Sequence, residues 1–353
     1  VFTATAVSAA FATIIMGVFA NYPVALASGM GLNAYFAYTV CPELVAMGIT
    51  DPWKIALTAI LVEGIIFILL SLVKFREALV NNVPANLKYG ITAGIGLFIT
   101  LVGLKGAGIV TTDAFAVVDE AGNATVSSST LVALGNVGSA EVVLAFVGLV
   151  LIGILWHFRV KGAILIGILG TWVLGMIAQG IGWYQGVSVF PDFSQGAAAF
   201  LPPSLAPTFF QFDFGFVAGH VLQFAVIVFA FLFVDLFDTV GTLIGVADQG
   251  GLLDKDGKLP NAGRALLSDA IGTVAGACLG TSTVTSYVES TAGVAEGGRT
   301  GLTAVSTAVM FILALFLSPI FLAIPSFATT PALIFVGLMM MKSVLKMSFD
   351  GDI

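Results

Sequence analysis

One stretch of the sequence decides the fold: residues 280–295 read GTSTVTSYVESTAGVA. A run of β-favouring residues is followed there by small residues, and a similar stretch, NYPVALASGMGLNAYF, occupies residues 21–36. An interrupted apolar segment in each half of a chain is typical of a membrane protein whose unwound backbone forms a binding site at mid-membrane. Backbone at that depth must be hydrogen-bonded, so residues 22–27 and 281–287 are predicted to pair with each other.

The composition of the chain indicates a polytopic membrane protein. Of its 353 residues, 58% are hydrophobic and only 9% are charged, whereas soluble domains carry about 25% charged residues. Because so few charges cannot cover a soluble globule of this size, most of the exterior is expected to face the lipid bilayer. The net charge of −7, without a dense basic cluster, argues against nucleic acid as a partner. Cys41 and Cys278 have no metal-ligand spacing, and no metal site is predicted.

Apolar stretches predict roughly eleven membrane crossings, each close to the ~20 residues that span a bilayer. They occupy residues 1–20, 24–40, 55–73, 90–104, 141–157, 161–181, 214–247, 264–279, 283–297, 302–322 and 329–345. Counting crossings places the following cations on one side: Lys74, Arg76, Lys88, Arg159, Lys161, Lys255, Lys258, Arg264, Arg299, Lys342 and Lys346. Loops 106–140 and 182–213 contain no Lys or Arg, so the cationic side is predicted to be cytoplasmic.

Three acids inside the predicted spans mark a candidate transport site. Asp235 and Asp238 are spaced i, i+3 on one helix face, with Thr242 one turn further along it. Glu289 lies in the second interrupted segment. A carboxylate at mid-membrane costs about 2.5–3.5 kcal/mol, and no basic residue is near these acids in the sequence. Each must therefore be protonated, hydrogen-bonded or paired with a cation, and packing through a hydrogen bond stays an alternative for Asp235.

Two further acids are harder to interpret from the sequence. Asp269 is expected near the cytoplasmic start of its span, where helix capping and a functional role are equally compatible with the pattern. Glu63 lies among apolar residues within a span, where it is expected to line a helix interface, and no function is assigned to it.

Long motifs in the second half resemble a known transporter family. They read DLFDTVGTLIGVA at residues 235–247, GLLDKDGKLPN at 251–261 and GTSTVTSYVESTAGVAEGGRTGLTA at 280–304. Together with residues 21–36, they resemble the AzgA-like purine permeases of the nucleobase–cation symporter-2 family, which also contains nucleobase/ascorbate transporters and xanthine/uracil permeases. The resemblance covers essentially the whole chain. DTVG at residues 238–241 takes the place of the acid-x-x-Gly motif of uracil- and xanthine-type relatives, and the additional Asp235 favours the adenine/guanine/hypoxanthine branch.

The resemblance implies an all-α fold of fourteen spans, built as two inverted seven-helix repeats with core and gate domains. The two broken helices would carry short antiparallel β stretches. This chain would begin at the second span and stop after the twelfth. The divisions implied are 1–104 for the first core helices, 105–213 for gate helices with the outer loops, 214–322 for the second core helices and 323–353 for the start of the second gate segment.

The resemblance also implies a set of site residues. Asp238 takes the place of the family's acidic substrate and proton residue, and Glu289 takes that of the acid that clamps the base. Asn33 matches the third-span motif, while Tyr287 and Ser286 would supply backbone and packing contacts. The full substrate-binding set is Glu289, Asp238, Asn33, Tyr287, Ser286, Phe36 and Thr242, and the proton-coupling set is Asp238, Glu289 and Asp235. Phe36, Phe233 and Phe237 are alternatives for the ring that stacks on the base.

The function implied is proton-coupled uptake of adenine, guanine or hypoxanthine by an elevator-like motion in the plasma membrane, the inner membrane of a bacterium. The protein would not be an enzyme and would need no cofactor, with the proton favoured over sodium as the coupling ion. A homodimer is left open.

Three alternatives are weighed against purine uptake. Another nucleobase, uracil or xanthine, would use the same fold. An inorganic anion would be repelled by acids in the pocket. An intramembrane aspartyl protease would need Tyr-Asp and Gly-x-Gly-Asp motifs, neither of which occurs in the sequence.

Overall fold

A computed structural model describes residues 1–73, 84–118, 124–194, 200–255 and 258–347, so Lys74 and Arg76 lie outside the described residues. Within these ranges, six helices are long and apolar enough to cross a membrane. They are Phe2–Ala20, Pro52–Leu72, Ala140–His157, Ala163–Gly180, Val221–Gly250 and Ser326–Leu345. The protein is a multi-pass membrane protein with a mostly helical fold, as predicted. The full number of crossings and the cytoplasmic side stay predictions.

The elements are numbered in chain order. The first part contains α1 (Phe2–Ile15), β1 (Leu26–Ser28), α2 (Met30–Tyr35), α3 (Cys41–Ala46), α4 (Pro52–Leu72), α5 (Ala85–Gly106), β2 (Val110–Val118), β3 (Ala124–Leu134), α6 (Ala140–His157) and α7 (Ala163–Gly180). The second part contains α8 (Gly215–Gly219), α9 (Val221–Gly250), α10 (Ala262–Leu279), β4 (Val284–Ser286), α11 (Ser290–Ala295), α12 (Gly301–Phe316), α13 (Ser318–Leu322) and α14 (Ser326–Met341).

The chain divides into two compact units. The first unit comprises Val1–Ile95, Ser194–Ser318 and Lys342–Ile353, and the second comprises Gly96–Phe193 and Pro319–Met341. The predicted division into core and gate segments at residues 104/105, 213/214 and 322/323 stays a prediction.

The first unit surrounds the two interrupted segments with helices. α1 packs against α10 and α12, and α4 packs along α9 and α10. Large apolar side chains such as Leu26, Phe67 and Leu243 are fully buried in one cluster, while Leu32 and Phe231 are fully buried in another. Because lipid tails are as apolar as these side chains, what stabilises them here is close packing against one another. The interrupted segments are therefore enclosed by closely packed apolar side chains.

The predicted pairing of the two interrupted segments is confirmed, although the first stretch pairs over residues 25–29 and not over the predicted residues 22–27. β1 and β4 are antiparallel, and Leu26 lies opposite Ser286. The ladder extends beyond the strands, because Tyr287 N donates to Ala25 O at 2.8 Å and Gly29 N donates to Thr283 O at 3.0 Å. The two strands are 258 residues apart in the sequence (26 to 284), and each satisfies the backbone hydrogen-bonding groups along one edge of the other.

The second unit is built on α6, α7 and α14, which pack against one another. The segment that follows α7 is held to that helix, because Trp172 Nε1 donates to Val189 O at 2.8 Å and Val189 N donates to Gln179 Oε1 at 3.0 Å. Within the predicted loop 106–140, the described strands β2 and β3 pair antiparallel, which the sequence pattern did not predict.

Candidate functional site

The outer edge of β1 is satisfied by one side chain of α1. Thr13 Oγ1 donates to Leu26 O at 3.0 Å and accepts from Leu26 N at 2.9 Å. A hydroxyl can donate and accept at once, which matches the N–H and C=O that one strand residue presents on one side. Both residues are buried, so leaving these groups without a partner would be costly.

The outer edge of β4 is satisfied by two side chains of α10. Thr273 Oγ1 donates to Val284 O at 2.9 Å, and Asp269 Oδ1 accepts from Ser286 N at 3.0 Å and from Ser286 Oγ at 3.2 Å. Asp269 lies inside α10 and is fully buried, so of the two alternatives left open for it, helix capping is wrong. It holds the second strand. Ser286, predicted to contact substrate, directs its amide and hydroxyl to Asp269.

Thr239 of α9 connects the acids of two helices with the strand. Its hydroxyl lies 3.0 Å from Asp269 Oδ2, 2.9 Å from Thr285 Oγ1 and 3.4 Å from Asp235 Oδ1. Asp235 is fully buried in this network. The position agrees with hydrogen-bonded packing, and the proton-coupling role of Asp235 stays a prediction.

A cluster of three polar side chains forms where the two strands meet the helices. Asn33 Oδ1 accepts from Ser28 Oγ at 2.8 Å and also from Ser282 Oγ, and the two serine hydroxyls lie 2.7 Å apart. We call these residues the Asn33 cluster. No acceptor for Asn33 Nδ2 occurs among the residues that the structure describes, and Asn33 is exposed. The amide therefore offers two N–H donors to a ligand.

A cleft of about 710 Å³ within the first unit is lined by the Asn33 cluster. Its volume is in the range of about 300–1,000 Å³ that small-molecule sites occupy. The lining includes two other predicted site residues, Phe36 and Tyr287. Phe233, an alternative stacking residue, does not line the cleft and is half exposed.

The two predicted acids of the site lie near each other. Asp238 Oδ2 is 3.7 Å from the position that a β-carbon on Gly29 would occupy, at the start of α2. Asp238 is close enough to Asp269 and Glu289 to interact with their charges, and Glu289 interacts in the same way with Tyr287. Neither Asp238 nor Glu289 is among the cleft-lining residues. The structure thus brings the acids together, beside a cleft that Asn33, Phe36 and Tyr287 line.

The remaining predicted residue, Thr242, is buried in α9 one turn beyond Asp238 and does not line the cleft. Four residues that hydrogen-bond to the strands or to Asn33 were not among the predicted site residues: Thr13, Thr273, Ser28 and Ser282. Each is a hydroxyl residue in a Gly/Ala-rich or β-favouring stretch. A polar residue in such an apolar context is a signal that could have found them, because it needs a hydrogen-bond partner there.

Comparisons with known proteins identify the family of this chain. The xanthine/uracil permease profile, described as "Permease family", matches residues 1–351. The chain therefore belongs to this permease family, whose members are transporters and not enzymes.

Individual relatives extend the match. A putative permease of Methanocaldococcus jannaschii is 48% identical over 99% of this chain and 73% of its own length. A guanine/hypoxanthine permease of Bacillus subtilis is 45% identical over 99% of this chain and 72% of its own length. The transmembrane domain of a cyanobacterial bicarbonate transporter has a TM-score of 0.64 at 16% identity, over 98% of this chain and 82% of that structure. At that identity the likeness concerns the fold alone.

Proposed function

We propose that the protein is a symporter that imports purine nucleobases, namely adenine, guanine and hypoxanthine, together with protons. The observation that carries the proposal is the exposed Asn33 amide in a cleft beside Asp238 and Glu289. The 45% identity to a guanine/hypoxanthine permease supports the substrate class.

The chemistry of a purine fits these groups. Its edge alternates N–H donors with ring-nitrogen and carbonyl acceptors, and its faces are apolar. The Nδ2 donors of Asn33 bind an acceptor on that edge, while a carboxylate of Glu289 or Asp238 accepts from N–H groups. Phe36, at the wall of the cleft, is positioned to stack on the ring.

Proton coupling follows from the two acids. Two like charges close together in a poorly solvated site repel each other, so in this proposal one of the two acids is the group that carries the coupled proton. Loading a neutral base with one proton lowers the charge that crosses the membrane. All predicted site residues belong to the first unit, which supports an elevator-like motion of that unit relative to the second.

Uptake of labelled guanine, hypoxanthine and adenine by cells that express the full-length protein tests the proposal. Accumulation above that of empty cells is expected, and it should disappear when the proton gradient is collapsed. No uptake of any of the three bases would reject the function. Accumulation that depends on a sodium gradient alone would reject the proton as the coupling ion.

Competition by unlabelled compounds separates the purines from the other candidates. Unlabelled guanine should reduce labelled hypoxanthine uptake, while uracil and sulfate should not. Strong competition by uracil or xanthine would assign another nucleobase, and direct uptake of labelled sulfate or bicarbonate would assign an inorganic anion.

Neutralising either acid should abolish transport without loss of protein from the membrane. Glu289→Gln and Asp238→Asn keep the side-chain shape but remove the charge and the proton site, so we expect uptake to fall at least about 100-fold. Asp51→Asn is the matched control, because Asp51 is an exposed acid paired with Lys54 at 2.9 Å. Its uptake should equal that of the unaltered protein. Normal uptake by both site variants would remove these acids from the site.

A further inference from the structure

Glu63 of α4 is a fully buried acid that contacts the second interrupted segment. Its Oε2 accepts from Thr283 Oγ1 at 3.2 Å, and Thr283 is fully buried as well. A side chain from a separate helix, 220 residues earlier in the chain, therefore holds the residue immediately before β4.

Thr283 connects this contact with both interrupted segments. The carbonyl oxygen of Thr283 accepts from Gly29 N at 3.0 Å. Gly29 is the N-cap of α2, the helix that carries Asn33. The preceding residue, Ser282, contacts the Asn33 amide oxygen and Ser28. A displacement of Thr283 thus moves the backbone before α2 and the hydroxyl that orients Asn33.

The position of Glu63 is set by close packing of α4 on α10. A β-carbon at Gly64 would lie 2.7 Å from Val274 Cγ2 and 3.2 Å from Thr273 Cγ2, so only glycine allows this approach. Thr273 itself donates to Val284 O. The same helix contact therefore fixes the backbone at Glu63 and one edge of β4.

We propose that Glu63 is a positioning residue, which holds Thr283 so that Ser282 orients the Asn33 amide towards the substrate. This rests on the proposed function in so far as the substrate is a purine. The contact requires an acceptor and not a charge, because the donor is a neutral hydroxyl. An amide at position 63 should thus replace the carboxyl, and a hydrocarbon should not.

Transport kinetics of the full-length protein test the requirement for an acceptor. Glu63→Leu should raise the KM for guanine about tenfold, the loss expected for one hydrogen bond, and leave kcat within about twofold. Glu63→Gln should restore the original KM. Thr283→Val should behave like Glu63→Leu, Thr283→Ser like the unaltered protein, and the Glu63→Leu/Thr283→Val pair should be no worse than either single variant.

Two outcomes of the kinetics overturn the proposal. If Glu63→Gln loses transport as fully as Glu63→Leu, the charge or proton of Glu63 is needed, and it is not a positioning residue. If Glu63→Leu keeps the original KM, the contact does not orient the site.

A second measurement needs no substrate. The Ser28 and Ser282 hydroxyls lie 2.7 Å apart, so Ser28→Cys and Ser282→Cys should form a disulfide in protein whose Cys41 and Cys278 are replaced by alanine. This disulfide should form at the same rate in the Glu63→Gln variant as in protein that retains Glu63, and roughly tenfold more slowly in the Glu63→Leu variant. Equal rates in all three overturn the positioning role. If the unaltered protein takes up no purine, the proposed function fails, and the disulfide rates still decide the role of Glu63.

Discussion

The two short strands of the first unit have the same length, but different side-chain groups bind their outer edges. β1 is held by the neutral hydroxyl of Thr13, whereas β4 is held by the carboxyl of Asp269 and the hydroxyl of Thr273. The helices that supply these groups, α1 and α10, each come directly before an interrupted segment. The two halves therefore share an arrangement of backbone and differ in the groups that satisfy it.

The difference follows from what each strand presents to its helix. Leu26 presents an N–H and a C=O to one side chain, and only a group that both donates and accepts can serve them. Ser286 presents two donors, its amide and its hydroxyl, which an acceptor-only carboxylate fits. A buried acid in this membrane protein thus serves the hydrogen-bonding pattern of a strand.

The largest effect is expected from Asp269→Ala. The change leaves Ser286 N and Ser286 Oγ without their acceptor and removes one of the partners of Thr239 Oγ1, so the free energy of unfolding should fall by about 3 kcal/mol or more. Thermal unfolding in detergent, followed with a dye that reacts with the half-buried Cys41 and Cys278, measures the loss. Asp269→Asn keeps one acceptor oxygen and should lose less. An unchanged melting temperature for Asp269→Ala would contradict the role of the carboxyl at the β4 edge.

A smaller effect is expected from Thr13→Val, which keeps the shape of the side chain and removes its hydroxyl. Both bonds to Leu26 are lost, so the free energy of unfolding should fall by about 1–3 kcal/mol. The same thermal assay measures it, and Thr13→Ser is the control that keeps the hydroxyl. If Thr13→Val is as damaging as Asp269→Ala, the two edges do not differ in the way described.

The smallest effect is expected from Ser290→Ala. Ser290 Oγ accepts from Ala25 N at 3.0 Å, so it links the end of the second segment to the entry of the first. One hydrogen bond in a partly buried position is worth about 1 kcal/mol, and the melting temperature should fall by a few degrees at most. If the melting temperature falls as far as in Thr13→Val, the Ser290 bond contributes as much as the strand edges to holding the two segments together.

The pairing of the strands was predictable, because residues 22–27 and 281–287 each combine β-favouring side chains with a break in an apolar segment. The groups that satisfy the outer edges were not predictable. Asp269 accepts from Ser286, which lies 17 residues later, after the chain has turned back at the end of α10. Nothing in the local sequence pattern distinguishes an acid that binds this strand from one that caps a helix. The Asn33 cluster depended on Ser282, 249 residues away, so no spacing along the chain could reveal it.

The sequence by itself determined the membrane class, the two interrupted segments, their pairing and the permease family, because apolar content and long motifs are read along the chain. The tertiary structure alone decided which donor meets which acceptor: Thr13 with Leu26, Asp269 with Ser286, and Glu63 with Thr283. A hydrogen bond forms only when two atoms come within about 2.7–3.2 Å at a favourable angle. Helices distant in the sequence meet that condition only after they have packed.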